Sequence, residues 1–437
     1  MRRQCAALMV GVLLVSGTAF AAGTTHVLSA FEESDPFDGW LYPVWEWELR
    51  KAKIGREYLQ GDRILRADVL NARRSTHRLS VNARIGLYRD LELFLVFPFV
   101  LRDQTELTFA GSASLLDPLG TQPDLFSMPN TGPARSGFGD MAVGLRYSPF
   151  QQWRDPYYPS WVVAFTWTIP TGKVRRGGNA GVGNGWHELK FETGASRRIA
   201  FVEPYFDFHG TLRIPSSSTL FKDYGPTQGS VWPGQELGLR YGVEFVPWEV
   251  TRTDGKRERY ATIDLGGSAV YTFRGRGYTD LFEAFASSKC NGAGLCPDPT
   301  KENGALGVTQ YNRTLQNWMP GSSPAFLDGI TDVEAYGTYS VWAGFDVQPI
   351  EYLSIGFRFT YSHETAHFLN RAIVGKDLDG HDGVMYNPGS PNATPPVPPG
   401  VNEYNPVYNS SVDDPGRRFK SEGADIFGIG LMLIGKM

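Results

Sequence analysis

The chain has 437 residues, of which 13% are aromatic and 50 are glycine, and its formal net charge at pH 7 is -4. This weakly acidic balance gives no reason to expect nucleic acid as a partner. Beyond the first 21 residues, no run approaches the ~20 apolar residues that a membrane helix requires, so a helical membrane protein is excluded.

Residues 1–21 have the pattern of a secretory signal peptide. The stretch starts with two arginines, continues with an apolar run at 6–15, and ends in the small-residue cleavage site Ala19-Phe20-Ala21. We therefore predict that the chain is exported and the signal peptide removed. A periplasmic N-terminal segment, 22–39, would follow.

From residue 40 onward, apolar and polar residues alternate along segments of about ten residues. Trp45, Trp47 and Leu49 indicate a first strand, and 79–87 forms a hairpin with 91–99 through the turn Arg89-Asp90. Successive side chains of a strand point to opposite faces, so each segment has an apolar and a polar face. Further segments with this period lie at 141–147, 161–169, 187–193, 206–214, 237–245, 263–273, 333–347, 353–361 and 427–433.

The connections between these segments alternate between short turns and long polar loops. Every connection after an even-numbered strand is predicted to be short, and every one after an odd-numbered strand long, as in outer-membrane barrels. We therefore predict an all-β fold, a transmembrane antiparallel up-and-down β-barrel of about 12 strands at 40–437, surrounded by outer-membrane lipids. The short turns and both termini would be periplasmic, and the long loops extracellular.

The polar faces of the predicted strands carry charges of both signs. A strongly selective ion pore would show a ring of one sign, whereas this nearly balanced set predicts a paired network in a narrow or occluded lumen. The candidate lumen residues are six bases, Arg78, Arg84, Lys190, Arg213, Arg240 and Arg358, and eight acids, Glu188, Glu192, Asp207, Glu236, Glu244, Asp264, Glu334 and Asp346.

Two cysteines remain after removal of the signal peptide. Cys290 and Cys296 lie six residues apart within one long predicted loop. Because exported proteins fold in an oxidising compartment, we predict a disulfide between them.

One motif argues for an enzyme. His363-Glu364-Thr365-Ala366-His367 matches the H-E-x-x-H pattern, in which two histidines on a helix bind zinc and the glutamate acts as general base. The motif lies where a clear strand gives way to a loop, so it requires a short helix at 362–373, for which we expect an incomplete ligand set. A metal site at His363 and His367 remains an alternative, but we expect no enzyme activity and no cofactor.

Three local segments resemble a known family. They are Ser136 to Tyr147 (SGFGDMAVGLRY), the Arg89-Asp90 hairpin with Leu91-Glu92-Leu93, and Ile169-Pro-Thr-Gly-Lys173. Over about Leu79 to Arg213, the chain is similar to outer-membrane proteins of the phenol-degradation meta-pathway family. This resemblance implies a barrel that takes up hydrophobic or aromatic compounds.

Three functions are compatible with these patterns. The main hypothesis is a channel or transporter for small solutes, hydrophobic or aromatic ones in particular. A structural or assembly barrel of a surface-polymer (polysaccharide) export or envelope machine is the first alternative, with an exported polymer and periplasmic envelope proteins as partners. A surface metalloenzyme using the histidine motif is the second.

Overall fold

The computed structural model describes residues 25–30, 38–120, 125–152, 154–155, 157–223, 228–251, 257–286, 329–373, 405 and 407–436. The predicted signal peptide, 1–21, and the predicted disulfide between Cys290 and Cys296 lie outside these ranges. Within them, no helix is long and apolar enough to cross a membrane.

Twelve long strands form a closed barrel in the described part of the chain. Each strand pairs antiparallel with the next, and the last pairs with the first, so the ladder has no free edge. This confirms the predicted fold class. The barrel strands are β1 (Gly39–Gln60), β2 (Arg63–Tyr88), β3 (Leu91–Phe109), β4 (Met141–Phe150), β5 (Ser160–Ile169), β6 (Trp186–Ser196), β7 (Val202–Pro215), β8 (Glu236–Thr251), β9 (Arg257–Thr272), β10 (Tyr336–Ile350), β11 (Leu353–Glu364) and β12 (Phe419–Lys436).

The barrel is apolar outside and polar inside. Along β7, Phe206, Phe208 and Leu212 are exposed on the outer surface, whereas Asp207 and His209 between them are buried. The same alternation exposes Leu, Val, Ile, Phe and Trp side chains on β4 to β6 and β8 to β12. A closed barrel pairs every backbone group internally, and an apolar outer band matches the bilayer core. The protein is therefore an outer-membrane β-barrel.

The two ends of the barrel differ. Five connections are short, at 89–90, 151–159, 197–201, 252–256 and 351–352, and they lie together with the start of β1 and the end of β12 at what we call the short-turn end. The connections at 110–140, 170–185, 216–235, 273–335 and 365–418 are long and lie at the opposite, long-loop end. These loops contain the short strands Asn130–Thr131, Arg135–Phe138, Gly275–Gly277, Thr331–Val333 and His367–Phe368, and the helices α1 (Phe282–Ala286) and α2 (Ser410–Asp413).

The connection between β1 and β2 corrects the prediction of a long loop after every odd-numbered strand. These strands, of 22 and 26 residues, pair without a break up to Gln60 and Arg63. Only Gly61 and Asp62 remain for the turn, and the positive φ of Gly61, 61°, suits glycine. The residues expected in a loop therefore extend the sheet instead, and this side of the barrel stands taller than the rest.

The long-loop end contains the main apolar core of the described residues. On α1, Phe285 packs between Phe126 and Phe419, with ring centroids 6.0 and 5.7 Å away. Phe282 on the same helix packs edge-on against Tyr278 at 4.8 Å. Because α1 contacts both the tall wall and the opposite loops, the loops form one packed layer over this end of the lumen.

The N-terminal segment, residues 25–30, lies in the short-turn end. Thr25 Oγ1 is 2.7 Å from Ser196 Oγ on β6, and the Asp90 amide donates to Ser29 Oγ at 3.0 Å on the opposite side. Val27, Leu28 and Ala30 are buried. The segment thus crosses the mouth of the barrel from β6 to the β2–β3 turn.

Candidate functional site in the barrel lumen

The lumen contains a cavity of about 160 Å³ to which all twelve strands contribute. Its wall combines aromatic side chains, namely Tyr42, Phe94 and Trp342, with charged ones. The bases in the wall are Arg78, Arg84, Arg146, Lys190, Arg240 and Arg358, and the acids are Glu46, Glu48, Glu92 and Glu192. The cavity is thus amphipathic, with charges of both signs in its wall.

The structure places thirteen of the fourteen candidate lumen residues on barrel strands. The exception is Glu334, which lies in the loop before β10 because that strand begins at Tyr336, not at Val333. Glu334 accepts a hydrogen bond from the Phe368 amide at 3.1 Å and pairs with Arg371. The other thirteen are Arg78, Arg84, Glu188, Lys190, Glu192, Asp207, Arg213, Glu236, Arg240, Glu244, Asp264, Asp346 and Arg358.

A buried ion pair joins the wall to the N-terminal segment at the short-turn end of the cavity. The Arg84 guanidinium donates two hydrogen bonds of 2.6 Å to the Glu92 carboxylate. Glu92 also accepts from the Leu28 amide at 2.9 Å, and Arg84 donates to the His26 carbonyl at 2.8 Å. Glu92 is 0% exposed. The pair therefore holds the segment across the mouth through charge-assisted hydrogen bonds.

Two charge networks link neighbouring strands along the inner wall at the middle of the lumen. In the first, Arg240 on β8 lies 3.3 Å from both Glu192 on β6 and Asp207 on β7, while Lys190 pairs with Glu192. His209 Nδ1 is 3.3 Å from Asp207 Oδ1. Each charge has a partner of opposite sign, which a buried ion requires to offset its desolvation.

The second network is centred on Asp264 of β9. Its carboxylate accepts hydrogen bonds from Tyr205 Oη at 2.9 Å and from Trp342 Nε1 and Arg358 Nη2, both at 2.8 Å. The Arg358 guanidinium also lies over the Trp342 ring, 5.3 Å from the centroid. Asp264 therefore fixes the orientation of the indole that lines the cavity.

Inward glycines make room for these bulky side chains. A methyl group at Gly266 on β9 would clash with the Trp342 indole, and one at Gly238 on β8 would clash with the His209 ring. Both rings thus lie flat over glycine positions of neighbouring strands. Glycine at these positions leaves the space that the rings of the neighbouring strands occupy.

A third charged layer lies between the cavity and the loops. Arg50 on β1 pairs with Glu364 on β11 at 2.8 Å and with Asp280, just before α1, at 3.2 Å. Asp103 on β3 accepts hydrogen bonds from Arg74 on β2 at 2.7 Å and from Arg175 of the 170–185 loop at 2.6 Å. Ion pairs thus attach two of the long loops to the barrel wall.

The H-E-x-x-H motif forms no helix. His363 and Glu364 belong to β11, and His367 begins a short strand, so the helix at 362–373 that a zinc site would require does not form. Adjacent residues of a strand point to opposite faces. His363 accordingly lies outside, 3.0 Å from Asp425, while Glu364 points inward and pairs with Arg50. The pairing of β11 with both β10 and β12 extends as far as Glu364, which overrides any helical tendency of the motif.

His367 occupies a separate, buried position. Its Nδ1 donates to the Thr365 carbonyl at 2.8 Å, its ring stacks on Tyr336 at 4.2 Å, and burial lowers its pKa. No group of three or more potential metal-ligating His, Cys, Asp or Glu residues occurs in the described ranges. The two histidines of the motif are therefore bound to different partners in different environments.

Several lumen residues were missed by the sequence analysis. Glu92, Arg146 and His209 alternate with outward apolar residues, so applying the same period to β3, β4 and β7 would have found them. Arg50 and Arg74 lie on the extensions of β1 and β2 that were assigned to a loop. The alternation is inverted there: Ala52 and Ile54 are buried in the apolar core, whereas Lys51 and Lys53 face outward, so a search for strands with an apolar outer face does not find these extensions.

Comparisons with known proteins add only distant structural similarity. No protein-family model matches the chain, and no curated protein matches it. Among solved structures, it is similar to an outer-membrane channel of Pseudomonas putida F1, with 9% identity over 91% of this chain and 96% of that one and a TM-score of 0.39. A FadL homologue of Pseudomonas aeruginosa has 8% identity over 92% and 89%, with a TM-score of 0.31. The outer-membrane protease OmpT of Escherichia coli has 7% identity over 94% and 100%, with a TM-score of 0.28.

Proposed function

We propose that the protein is a gated outer-membrane channel for small solutes that combine an aromatic or other apolar part with a polar group. The observation that carries this proposal is the amphipathic cavity of about 160 Å³ in the middle of the lumen. A structural barrel needs only a filled interior. An internal space lined by both indole and guanidinium groups is what a pathway for such solutes requires.

The size of the cavity supports a single-ring solute. An engineered cavity of roughly 150 Å³ in another protein holds benzene. The rings of Phe94 and Trp342 could contact an aromatic ring, while Arg78 and Arg358 offer donors to a carboxylate or hydroxyl. The resemblance of Leu79 to Arg213 to the phenol-degradation family agrees with this class of solute.

The two ends of the lumen support gating. The N-terminal segment crosses the short-turn mouth, and the loop layer with α1 lies over the other. Passage therefore requires movement of both layers. At the short-turn end the segment is held mainly by hydrogen bonds to Glu92, Ser196 and Asp90, which can break and re-form individually.

The alternative functions find less support. A polymer-export barrel would need a continuous wide lumen, whereas this lumen encloses a cavity of only about 160 Å³ and the N-terminal segment crosses its mouth. A zinc hydrolase would need Glu364 beside a metal-bound water, but its carboxylate is paired with Arg50.

Solute influx into liposomes tests the proposal. We expect liposomes containing the protein to admit 4-hydroxybenzoate and to exclude the trisaccharide raffinose. Trp342→Ala removes an inward indole and should speed influx of solutes larger than one ring. Trp167→Ala removes an outward one and should leave influx unchanged. Equal influx of raffinose and 4-hydroxybenzoate into wild-type liposomes would contradict the size argument.

A further inference from the structure

The outer face of β1, β2 and β3 carries an unusual set of charges just beyond the apolar belt. Cross-strand pairing aligns the outward residues of the three strands in rows. From the membrane toward the long-loop end, these rows are Trp47/His77/Arg102, Leu49/Ser75/Gln104, Lys51/Arg73/Glu106 and Lys53/Asn71/Thr108.

The basic residues span the headgroup layer, with Arg102 at its lower edge in the row of Trp47, Lys51 and Arg73 within it, and Lys53 just above it. The apolar belt of β1 ends at Leu49, and Lys51 and Lys53 follow two and four residues later on the same face. With a rise of about 3.4 Å per residue and a strand tilt of about 40°, they lie about 5 and 10 Å above Leu49. The headgroup layer of a bilayer is roughly 5–8 Å thick on each side. Lys51 therefore lies within the headgroup layer, and the long side chain of Lys53 can reach down to lipid phosphates.

These bases form no ion pair within the part of the chain that the structure describes. Lys51 faces Arg73 directly across the β1–β2 ladder, and like charges in that position destabilise a sheet. Lys51, Lys53, Arg73 and Arg102 form no ion pair with a described residue, although Arg102 donates to Gln104 at 2.6 Å. An external anion would relieve the repulsion between them.

Two carboxylates flank the row that contains Lys51 and Arg73. They reduce the positive charge of the basic residues without cancelling it. Glu106 stands opposite Arg73 on β3, and Asp425 stands opposite Lys51 on β12. Asp425 accepts hydrogen bonds from Tyr361 at 2.8 Å and His363 at 3.0 Å instead. Four bases against two acids leave an excess of two positive charges on this face.

The basic face occupies one side of the barrel only. Trp45 and Trp47 lie directly below it, with ring centroids 6.1 and 6.4 Å from His77, and Trp47 Nε1 donates to Ser75 Oγ at 3.2 Å. Indoles prefer the membrane interface, so they mark its level. The outward residues at the long-loop ends of β5, β7 and β9 are uncharged, namely Ile169, Ile214 and Tyr271.

We propose that this basic face, defined by Lys51, Lys53, Arg73 and Arg102, binds the phosphate groups of lipopolysaccharide in the outer leaflet. The ammonium and guanidinium groups would donate charge-assisted hydrogen bonds to phosphate oxygens. The acyl chains would lie against the apolar belt below, beside Leu49 and Leu79. This site is separate from the lumen and does not depend on the solute that the channel carries.

Binding of diphosphorylated lipid A to the full chain in neutral detergent, followed by native mass spectrometry, tests the proposal. A basic residue near an anionic membrane surface contributes about 1 kcal/mol, or about fivefold in affinity. We therefore expect the double variant Lys51→Gln/Arg73→Gln to bind about thirtyfold more weakly. Lys173→Gln, an exposed base of the same end outside this face, should bind like the wild type.

A variant that should strengthen lipid A binding controls for folding, because misfolding cannot produce tighter binding. Glu106→Gln removes the carboxylate beside Arg73 and should tighten lipid A binding. The proposal is overturned if the double variant binds lipid A as tightly as the wild type, or if Glu106→Gln weakens binding. It is equally overturned if phosphatidylglycerol binds as tightly as lipid A, because the site would then have no preference for the outer-leaflet lipid.

Discussion

Neutralising Glu92 should open the short-turn end of the barrel. The Glu92 carboxylate accepts from the Leu28 amide of the N-terminal segment and holds Arg84, which in turn donates to the His26 carbonyl. A hydrogen bond to a charged group contributes about 1.5–3 kcal/mol, and a neutral one about 0.5–1.5 kcal/mol. Glu92→Gln keeps the shape of the side chain but turns the Leu28 bond into a neutral one.

The loss in docking free energy is therefore about 1–2 kcal/mol, counting the direct bond and the weaker hold on Arg84. This corresponds to a five- to thirtyfold larger undocked population of the segment, since about 1.4 kcal/mol changes an equilibrium tenfold. Single-channel recording in planar bilayers measures this as the fraction of time spent in the conducting state. Arg89→Gln, on the exposed turn next to the same mouth, serves as the control.

A double-mutant cycle separates docking from a general effect on the barrel. Leu28→Pro removes the amide that donates to Glu92. If the contact acts as described, Leu28→Pro should raise the open fraction by a larger factor in the wild type, where it removes a charge-assisted bond, than in the Glu92→Gln background, where it removes a neutral one. Additive effects, or an unchanged open fraction in correctly folded Glu92→Gln, would refute the role of this contact.

Three further predictions concern the long-loop end. Tags inserted near Gly292 and near Pro398 should be labelled on intact cells, because long loops of outer-membrane barrels are extracellular; labelling only after envelope disruption would reverse the orientation. Glu364→Gln should leave solute influx nearly unchanged and reveal no proteolytic activity, because Arg50 keeps Asp280 as a partner; stoichiometric zinc in the purified wild type together with loss of a proteolytic activity in the variant would contradict this. Burial raises the pKa of Asp413 to about 7, although the Asn409 and Ala372 amides donate to its carboxylate at 2.8 and 3.1 Å. A carboxyl whose pKa is raised by folding stabilises the fold below its unfolded pKa and loses this contribution as pH rises through its folded value. Hydrogen exchange of the Ala372 amide, corrected for intrinsic rates, should therefore be faster at pH 8 than at pH 5, and Asp413→Asn should abolish the difference.

The sequence was most informative where the barrel meets lipid. Apolar residues at every second position, such as Leu79, Val81 and Ala83, identify a membrane-spanning strand. Within the bilayer, the lipid-facing side of each strand must be apolar while its lumen-facing side is polar. Above the membrane that requirement ends, and β1 and β2 continue through Arg50 and Arg74 with a polar outer face, while apolar residues such as Ala52 and Ile54 are buried in the core. Their extended pairing comes from the hairpin geometry at Gly61, which hydrophobic periodicity does not report.

In the lumen, the sequence predicts which residues point inward, but it does not predict which residues they contact. The inward position of Asp264 or Arg240 follows from the strand period alone. Their partners come from other strands, so the contacts of Asp264 with Tyr205, Trp342 and Arg358 depend on barrel register. The histidine motif failed as a helix signal for a related reason, because β11 finds pairing partners on both sides as far as Glu364.

Planar-bilayer recording of the wild type and of a variant lacking residues 25–30 tests the proposed channel most directly. We expect rare, discrete conductance steps in the wild type and more frequent steps in the variant that lacks the segment. Selectivity between cations and anions should be weak in both, because the thirteen candidate lumen residues on the strands comprise six bases and seven acids. Silence of both proteins across many insertions of folded barrel would contradict the channel and favour a structural role.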